Sequence, residues 1–173
     1  MPRRHPVPHR WLMTDERMGD ALWDAIGRLP RGSGIVVRHH GWPMRARRAL
    51  MARIAHTAKR KGLVVLGAGG LDGPGGSHNG RRRRGLVSRS VHSRPEMVAA
   101  IRAGADVVFV SPVFATRSHP GARELGVVRM AAIVRGAPMP VVALGGMSEA
   151  RFRRVRGTGV HGWAGIDAWI ETG

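Results

Sequence analysis

Hydroxyl, arginine and histidine side chains follow an apolar run near residue 110. The stretch VFVSPVFATRSHPG, residues 108–121, begins like a buried strand and continues into Thr116, Arg117, Ser118 and His119. Hydroxyl groups donate hydrogen bonds to phosphate oxygens, and arginine or protonated histidine offsets their charge. The residue types therefore indicate a site for an anionic ligand, although an ordinary polar turn can have the same composition.

Two glycine-containing segments point to the same chemistry. In ALGGMSEA, residues 143–150, Gly145 and Gly146 separate an apolar run from a predicted helix with Ser148 as N-cap. Glycines let backbone N–H groups approach an oxyanion, and a helix N-terminus favours negative charge. GWAGIDAW, residues 162–169, follows the last apolar run with similarly small residues. Together these segments predict a phosphate site.

Apolar runs and amphipathic segments alternate along the chain, which predicts a parallel sheet covered by helices on both sides. Seven strands are predicted, and an eighth is expected near residues 71–77; the seven runs are 10–15, 34–38, 63–69, 86–93, 105–112, 139–146 and 159–166. Helices are predicted over 16–29, 43–60, 95–103, 123–135 and 148–156. This order favours a single-domain (β/α)₈ barrel over residues 1–173, with helices reduced or missing around residues 67–85.

Strand ends locate the candidate chemistry within such a barrel. The loops after the carboxyl ends of the strands form the active face, and barrel phosphate sites are commonly built after strands seven and eight. The loop beginning at Ser111 and both glycine segments would therefore lie on one face.

Composition excludes several classes of protein. Cysteine is absent, which excludes disulfides, zinc–thiolate sites and a cysteine nucleophile. The net charge of +18 comes almost entirely from arginine, since only Lys59 and Lys61 are lysines. These arginines are scattered apart from Arg81–Arg84 and a looser group at 151–156, so nucleic acid is not the favoured partner. No apolar run suits a signal peptide or a membrane span of about 20 residues, so a cytoplasmic protein without membrane contact is expected.

The motifs resemble a known family. SVHS (90–93), GADVVFVSPVFATRSHPG (104–121) and PVVALGGM (140–147) are similar to the C-terminal half of the thiamine phosphate synthase and thiazole tautomerase (TenI) family. In the first half, RWLMTD (10–15) resembles the opening strand, and IVVRHHG (35–41) resembles a later strand that carries basic residues.

The resemblance implies roles for individual residues. Thr116 and Ser118 would hold a thiazole phosphate together with backbone groups of five further residues. These are Gly145, Gly146, Trp163, Ala164 and Gly165. Arg38 would grip a pyrimidine diphosphate, Ser90 would lie near it, and His119 would stand at the family's lysine. His40 likewise replaces a basic residue, and both histidines would weaken the grip at neutral pH.

The resemblance also implies a departure at the metal site. The family's magnesium-binding Asn-Asp falls on Gly67-Ala68, and a second carboxylate is missing near Asn79, which leaves Asp72 as the sole candidate. We expect no cofactor to be bound by the protein alone, and Mg²⁺ to bind only together with a diphosphate ligand. The arginine run Arg81–Arg84 is an alternative source of positive charge.

Three functions stay open from the sequence. The leading hypothesis is a synthase-like protein of thiamine biosynthesis that binds phosphorylated thiazole and pyrimidine precursors and couples them with release of pyrophosphate. The first alternative is a catalytically reduced phosphate-ligand-binding or regulatory barrel. The second is an arginine-rich nucleic-acid binder. A homodimer is left open.

Overall fold

Eight parallel strands close into a barrel in the computed structural model, which describes residues 6–117, 121 and 123–170. The strands are β1 (Arg10–Met13), β2 (Gly34–Val37), β3 (Val64–Ala68), β4 (Gly76–His78), β5 (Leu86–Val91), β6 (Val107–Val110), β7 (Val141–Leu144) and β8 (Gly162–Gly165). The helices are α1 (Ala21–Arg28), α2 (Met44–Lys59), α3 (Arg94–Arg102), α4 (Gly126–Val134), α5 (Glu149–Val155) and α6 (Asp167–Ile170). Each strand pairs with the next and β8 pairs with β1, which confirms the predicted (β/α)₈ barrel.

Trp11 fills the centre of the barrel. Its indole is fully buried and meets the Phe109 ring edge-on, with 5.2 Å between ring centroids. Gly34 pairs with Trp11 in register, and a Cβ atom at Gly34 would overlap the indole. Alternation along the strands places Trp11, Gly34 and Phe109 on the inner face, so the missing side chain on β2 makes room for the large one on β1.

Loops replace the helices after β3 and β4, as the sequence predicts. Residues 69–75 run back along β3, where the Gly75 N–H donates to the Val65 carbonyl at 2.8 Å. Residues 79–85 return beside β4, where a Cβ atom at Gly85 would overlap the Gly75 carbonyl oxygen. Glycine lets these segments lie flat on the strands, which explains how the wall closes without helices.

Three element boundaries differ from the expected ones. The fourth strand lies at Gly76–His78 rather than near 71–77, and the first helical segment divides into a 3-10 helix (Glu16–Met18) and α1. Gly19 separates the two with a φ of 48°, a conformation that ends a helix. The last strand is also shorter than the predicted 159–166, and residues 163–165, expected to contribute a phosphate-binding loop, lie within it. None of the helices in the described part of the chain is long and apolar enough to cross a membrane.

Candidate functional site

Arg38 stands immediately after β2, at the carboxyl-end mouth of the barrel. Its backbone N–H donates to Thr14 Oγ1 at 3.0 Å, its Nε donates to the Thr14 carbonyl at 2.9 Å, and its Nη2 lies 3.3 Å from Asp15 Oδ2. Burial lowers the pKa of the Arg38 guanidinium and the Asp15 carboxylate opposes that shift, so the group stays charged at neutral pH. A cation is thereby held at the mouth in a fixed orientation.

A neutral polar cluster lies at the ends of β4 and β5. Buried His78 has Nδ1 2.8 Å from Ser88 Oγ and Nε2 3.2 Å from Ser90 Oγ. Asn79 accepts from the Ser90 N–H at 2.8 Å and donates to Ser90 Oγ at 3.1 Å. Burial and the charges of neighbouring basic residues, Arg38 foremost, lower the pKa of His78 to about 4. The cluster therefore orients the Ser90 hydroxyl without adding charge.

Arg47 is a buried cation that sequence reasoning missed. Its side chain reaches from α2 to three backbone carbonyls: Arg38 at 3.1 Å from Nε, Gly69 at 3.0 Å from Nη1, and Ala68 from Nη2. The guanidinium ties the ends of β2 and β3 together. The sequence does contain an indication that Arg47 is buried. Arg47 precedes Leu50 by three residues and Ile54 by seven, which places all three on the buried face of α2.

A small cleft lies at the carboxyl ends of β6, β7 and β8. It brings together Thr116, Gly145, Gly146 and Gly165 from the predicted phosphate residues, beside Asp167. Ser118 and His119 lie outside the described residues. The side chains of the other two predicted residues, Trp163 and Ala164, do not line this cleft. Trp163 stacks on Trp169 at 5.0 Å and donates to Glu149 Oε2 at 3.1 Å, whereas Ala164 pairs with Trp11 on the inner face. Phosphate binding by all these residues stays a prediction.

The two glycines of the cleft have a structural role of their own. Gly145 and Gly146 have φ values of 97° and 59°, in the region that favours glycine. A Cβ atom at Gly145 would lie 2.7 Å from Pro112 Cα, and one at Gly146 would overlap the Ala115 carbonyl oxygen. Close packing of the loop after β6 therefore requires both glycines. A bulky residue at Gly146 would displace this loop, so it is not a clean test of phosphate binding.

Among the residues that the structure describes, carboxylates do not gather into a preformed Mg²⁺ site. Within the described ranges, no group of three or more His, Asp or Glu side chains is arranged to hold a metal ion. At the end of β3, the Ala68 carbonyl is occupied by the Arg47 guanidinium. Asn79 presents an amide that is engaged with Ser90. Asp72 is half-exposed on the outer wall, 3.4 Å from Arg83 Nη1. The residues present therefore do not fit a magnesium ion.

Two members of the arginine run are engaged in other contacts. Arg82 binds the Gly104 carbonyl at 2.6 Å and Asp106 at 2.8 Å, just before β6 begins, and Arg83 Nη1 lies 3.4 Å from Asp72. Arg82 therefore lies near the amino-terminal end of β6, away from the mouth. That Arg81–Arg84 could offset a diphosphate stays a prediction, which the position of Arg82 does not favour.

Comparison with known proteins adds independent information. A family model described as thiamine monophosphate synthase matches residues 78–169. The putative thiamine-phosphate synthase 2 of Aquifex aeolicus is 34% identical over 86 residues, which cover 50% of this chain and 46% of that protein. The thiamine-phosphate synthase of Pyrococcus furiosus is 37% identical over 83 residues, covering 48% and 40%. The matched segment therefore spans less than half of either relative.

A solved structure shows the same fold over almost the whole chain. Thiamine phosphate pyrophosphorylase from Pyrococcus furiosus superposes with a TM-score of 0.76 and 21% identity. The superposition covers 94% of this chain and 87% of that one. At this identity, the likeness concerns the barrel rather than the chemistry at its mouth.

Proposed function

Because this chain belongs to the thiamine monophosphate synthase family, we propose that it acts in thiamine biosynthesis in the cytoplasm. It binds a thiazole phosphate at the cleft after β6–β8 and joins it to a pyrimidine methyl diphosphate. The observation that carries this proposal is the shared mouth, where fixed Arg38 and the glycine-lined cleft lie at the same end of the barrel. The same end of the barrel would therefore receive both the phosphate of the thiazole and the diphosphate of the pyrimidine.

The reaction suits a site that positions its substrates and stabilises anions. The C–O bond between the pyrimidine methyl carbon and the diphosphate breaks, and pyrophosphate leaves with the electron pair. The thiazole ring nitrogen then attacks the resulting carbocation and forms a C–N bond, which leaves a positively charged thiazolium ring. Arg38 would offset charge on the leaving diphosphate, and Ser90, oriented by His78 and Asn79, would fix the pyrimidine. No side chain needs to transfer a proton in these steps.

Calorimetry with the two precursors separately tests the assignment of the two sites. We expect Thr116→Val to weaken thiazole phosphate binding roughly tenfold, because it removes one hydroxyl donor. Arg38→Gln should instead weaken the pyrimidine diphosphate. Thr57→Val, on the exposed face of α2, is the matched control and should change neither affinity. Equal losses for both ligands in both site variants would contradict the assignment.

A second candidate function is a binding barrel that does not turn over. The observation that favours it is the poor fit of the mouth to Mg²⁺, since a metal would otherwise stabilise the leaving diphosphate. Pyrophosphate release, measured with both precursors with and without Mg²⁺, separates the two functions. Slow release is expected. Binding of the thiazole phosphate without any release would favour the second candidate.

A further inference from the structure

A second cavity lies outside the ring of strands, lined by α1, α2 and the segments that follow β1 and β2. It has a volume of about 390 Å³ and opens between α1 and α2. Two neighbouring residues of the chain, Arg38 and His39, belong to different sites. Arg38 acts electrostatically on His78 inside the barrel, whereas buried His39 lines the outer cavity with a φ of 41°. The cavity is therefore a distinct site that the proposed coupling reaction does not use.

Aromatic rings form the walls of this outer cavity. Trp23 and Trp42 contribute indoles, and Trp42 is 42% exposed, an unusual exposure for so large an apolar side chain. The His39 ring meets Trp42 edge-on at 4.8 Å. The Arg53 guanidinium, which also lines the cavity, lies 4.4 Å from the centre of the Trp23 ring and covers it, so Trp42 is the indole left open to a ligand. Leu22, Leu50, Ala46 and Ala49 complete the lining with apolar surface.

Acidic groups complete the cavity. Glu16 and Asp20 both line it, although the chain has only eleven acidic residues against twenty-nine Lys and Arg. Glu16 Oε1 accepts a hydrogen bond from the Gly41 N–H at 2.6 Å, which fastens the loop after β2 to the cavity rim. The Asp20 carboxylate makes no capping hydrogen bond with α1, so α1 does not tie it down. The two carboxylates outnumber Arg53, the single guanidinium in the lining, so the lining favours a cationic ligand over an anionic one.

We propose that the outer cavity binds a planar heteroaromatic cation, stacked against Trp42 and neutralised by Asp20 and Glu16. The coupling reaction creates such a cation, because joining the thiazole nitrogen to the methyl carbon of the pyrimidine leaves a permanently charged thiazolium ring linked to a second aromatic ring. The dephosphorylated form of that product suits the cavity, since a phosphate group would face two carboxylates. This identification of the ligand rests on the proposed function. The outer cavity would then report the level of product separately from the mouth.

Titration with unphosphorylated thiamine tests the proposal, with tryptophan fluorescence and calorimetry as readouts. We expect saturable binding to the wild-type protein at micromolar to millimolar concentrations. Trp42→Ala should weaken it roughly tenfold by removing a stacking face, and Asp20→Asn should weaken it several-fold. Ala46→Phe, which fills the cavity from α2, should abolish binding without removing a wall. Val128→Ala, at an exposed residue of α4, is the control and should bind as the wild type does.

The outcomes separate this proposal from the proposed function. If Arg38→Gln abolishes thiamine binding and Trp42→Ala leaves it unchanged, the ligand occupies the mouth and the outer-cavity proposal is wrong, while the synthase assignment stands. Equal affinity for an uncharged ring analogue of thiamine would overturn the recognition of a cation. No saturable binding up to millimolar thiamine would overturn the proposal, whether or not pyrophosphate release is seen. Circular dichroism of each variant verifies that it is folded.

Discussion

The lowered pKa of His78 makes the stability of the folded protein depend on pH. Its pKa falls from 6.5 to about 4 on folding, so the unfolded chain binds the proton more readily. The stabilising effect is complete above pH 6.5 and is lost as the pH falls towards 4. We expect the free energy of unfolding to fall by up to about 3 kcal/mol across this window. Denaturant titrations at about pH 7.5 and about pH 4.5 measure it.

Two histidine variants test whether this pH dependence belongs to His78. His78→Gln should remove much of it, while His92→Gln should keep the wild-type slope because His92 is exposed. His39, His40 and His161 also have pKa values lowered by burial, so a smaller dependence of the same sign should remain. A wild-type slope in His78→Gln would show that the imidazole is not the responsible group.

The sequence predicts a residue's position where a local motif contains it. It does not predict a position that depends on a contact between segments far apart in the chain. The IVVR run predicts a strand that ends at Arg38, and the structure places Arg38 directly after β2, one residue beyond its end. The His78 cluster depends on β4 pairing with β5, which brings His78 opposite Ser88. Nothing local in the sequence indicates that pairing. The direction of the Trp163 side chain likewise depends on the exact start of β8.

The glycine-rich wall makes a sharp prediction at the scale of elements. Gly76→Ala should destabilise the protein by about 2 kcal/mol or more, because φ is 133° and the new Cβ would overlap the Leu86 carbonyl. Gly27→Ala is the matched control, since a Cβ atom there meets nothing within 4 Å in α1. It should stabilise the protein by about 0.5–1 kcal/mol. Thermal unfolding measures both variants. A lower melting temperature for Gly76→Ala and a higher one for Gly27→Ala would support this explanation, and equal shifts would refute it.

Arg47 connects α2 to two strands. Arg47→Met keeps the bulk of the side chain but leaves the carbonyls of Arg38, Ala68 and Gly69 without its donors. We expect a loss of about 3 kcal/mol in the free energy of unfolding, since buried acceptors lose their partners. Arg48→Met, at an exposed residue of the same helix, should cost little. Equal stability of the two variants in urea would contradict this role.

Elements with a strong periodic pattern were predicted within a few residues, as α2 and the strands β2 and β3 show. The three-residue strand β4 was misplaced because Gly-Ser-His carries no apolar alternation and exists only through its neighbours. The first helix was predicted as continuous because Met18, Leu22 and Ile26 keep helical spacing across the break at Gly19. Backbone conformation at one glycine overrode that pattern.

The net charge of +18 acts on the molecule as a whole. Like charges repel one another across the surface, and added salt screens that repulsion. We therefore expect the melting temperature to rise as sodium chloride increases from about 20 mM to about 300 mM. A melting temperature that falls over this range would mean that specific ion pairs outweigh the general repulsion.

Arginines bind backbone carbonyls in several separate parts of the molecule, which accounts for some of this charge. Arg28 binds the Trp169 carbonyl, and Arg94 binds the Ile133 carbonyl at 2.9 Å. This distribution supports a structural use of arginine rather than a nucleic-acid-binding stripe. The compact barrel was predictable because seven of its eight strands appear in the sequence as apolar runs. The outer cavity was not, because no local pattern indicates how α1 and α2 meet.

The end of β2 limits where the chain can change in length. Side chains reverse direction with every residue along a strand, so an inserted or deleted residue within 34–37 would turn Arg38 away from the mouth and disrupt both sites. The segment between Arg81 and Arg84 is less constrained, because it forms no strand and the ion pairs of Arg82 and Arg83 are exposed at the arginine and of small energetic value. Insertions and deletions should therefore accumulate at 81–84 during evolution, while the length of β2 stays fixed.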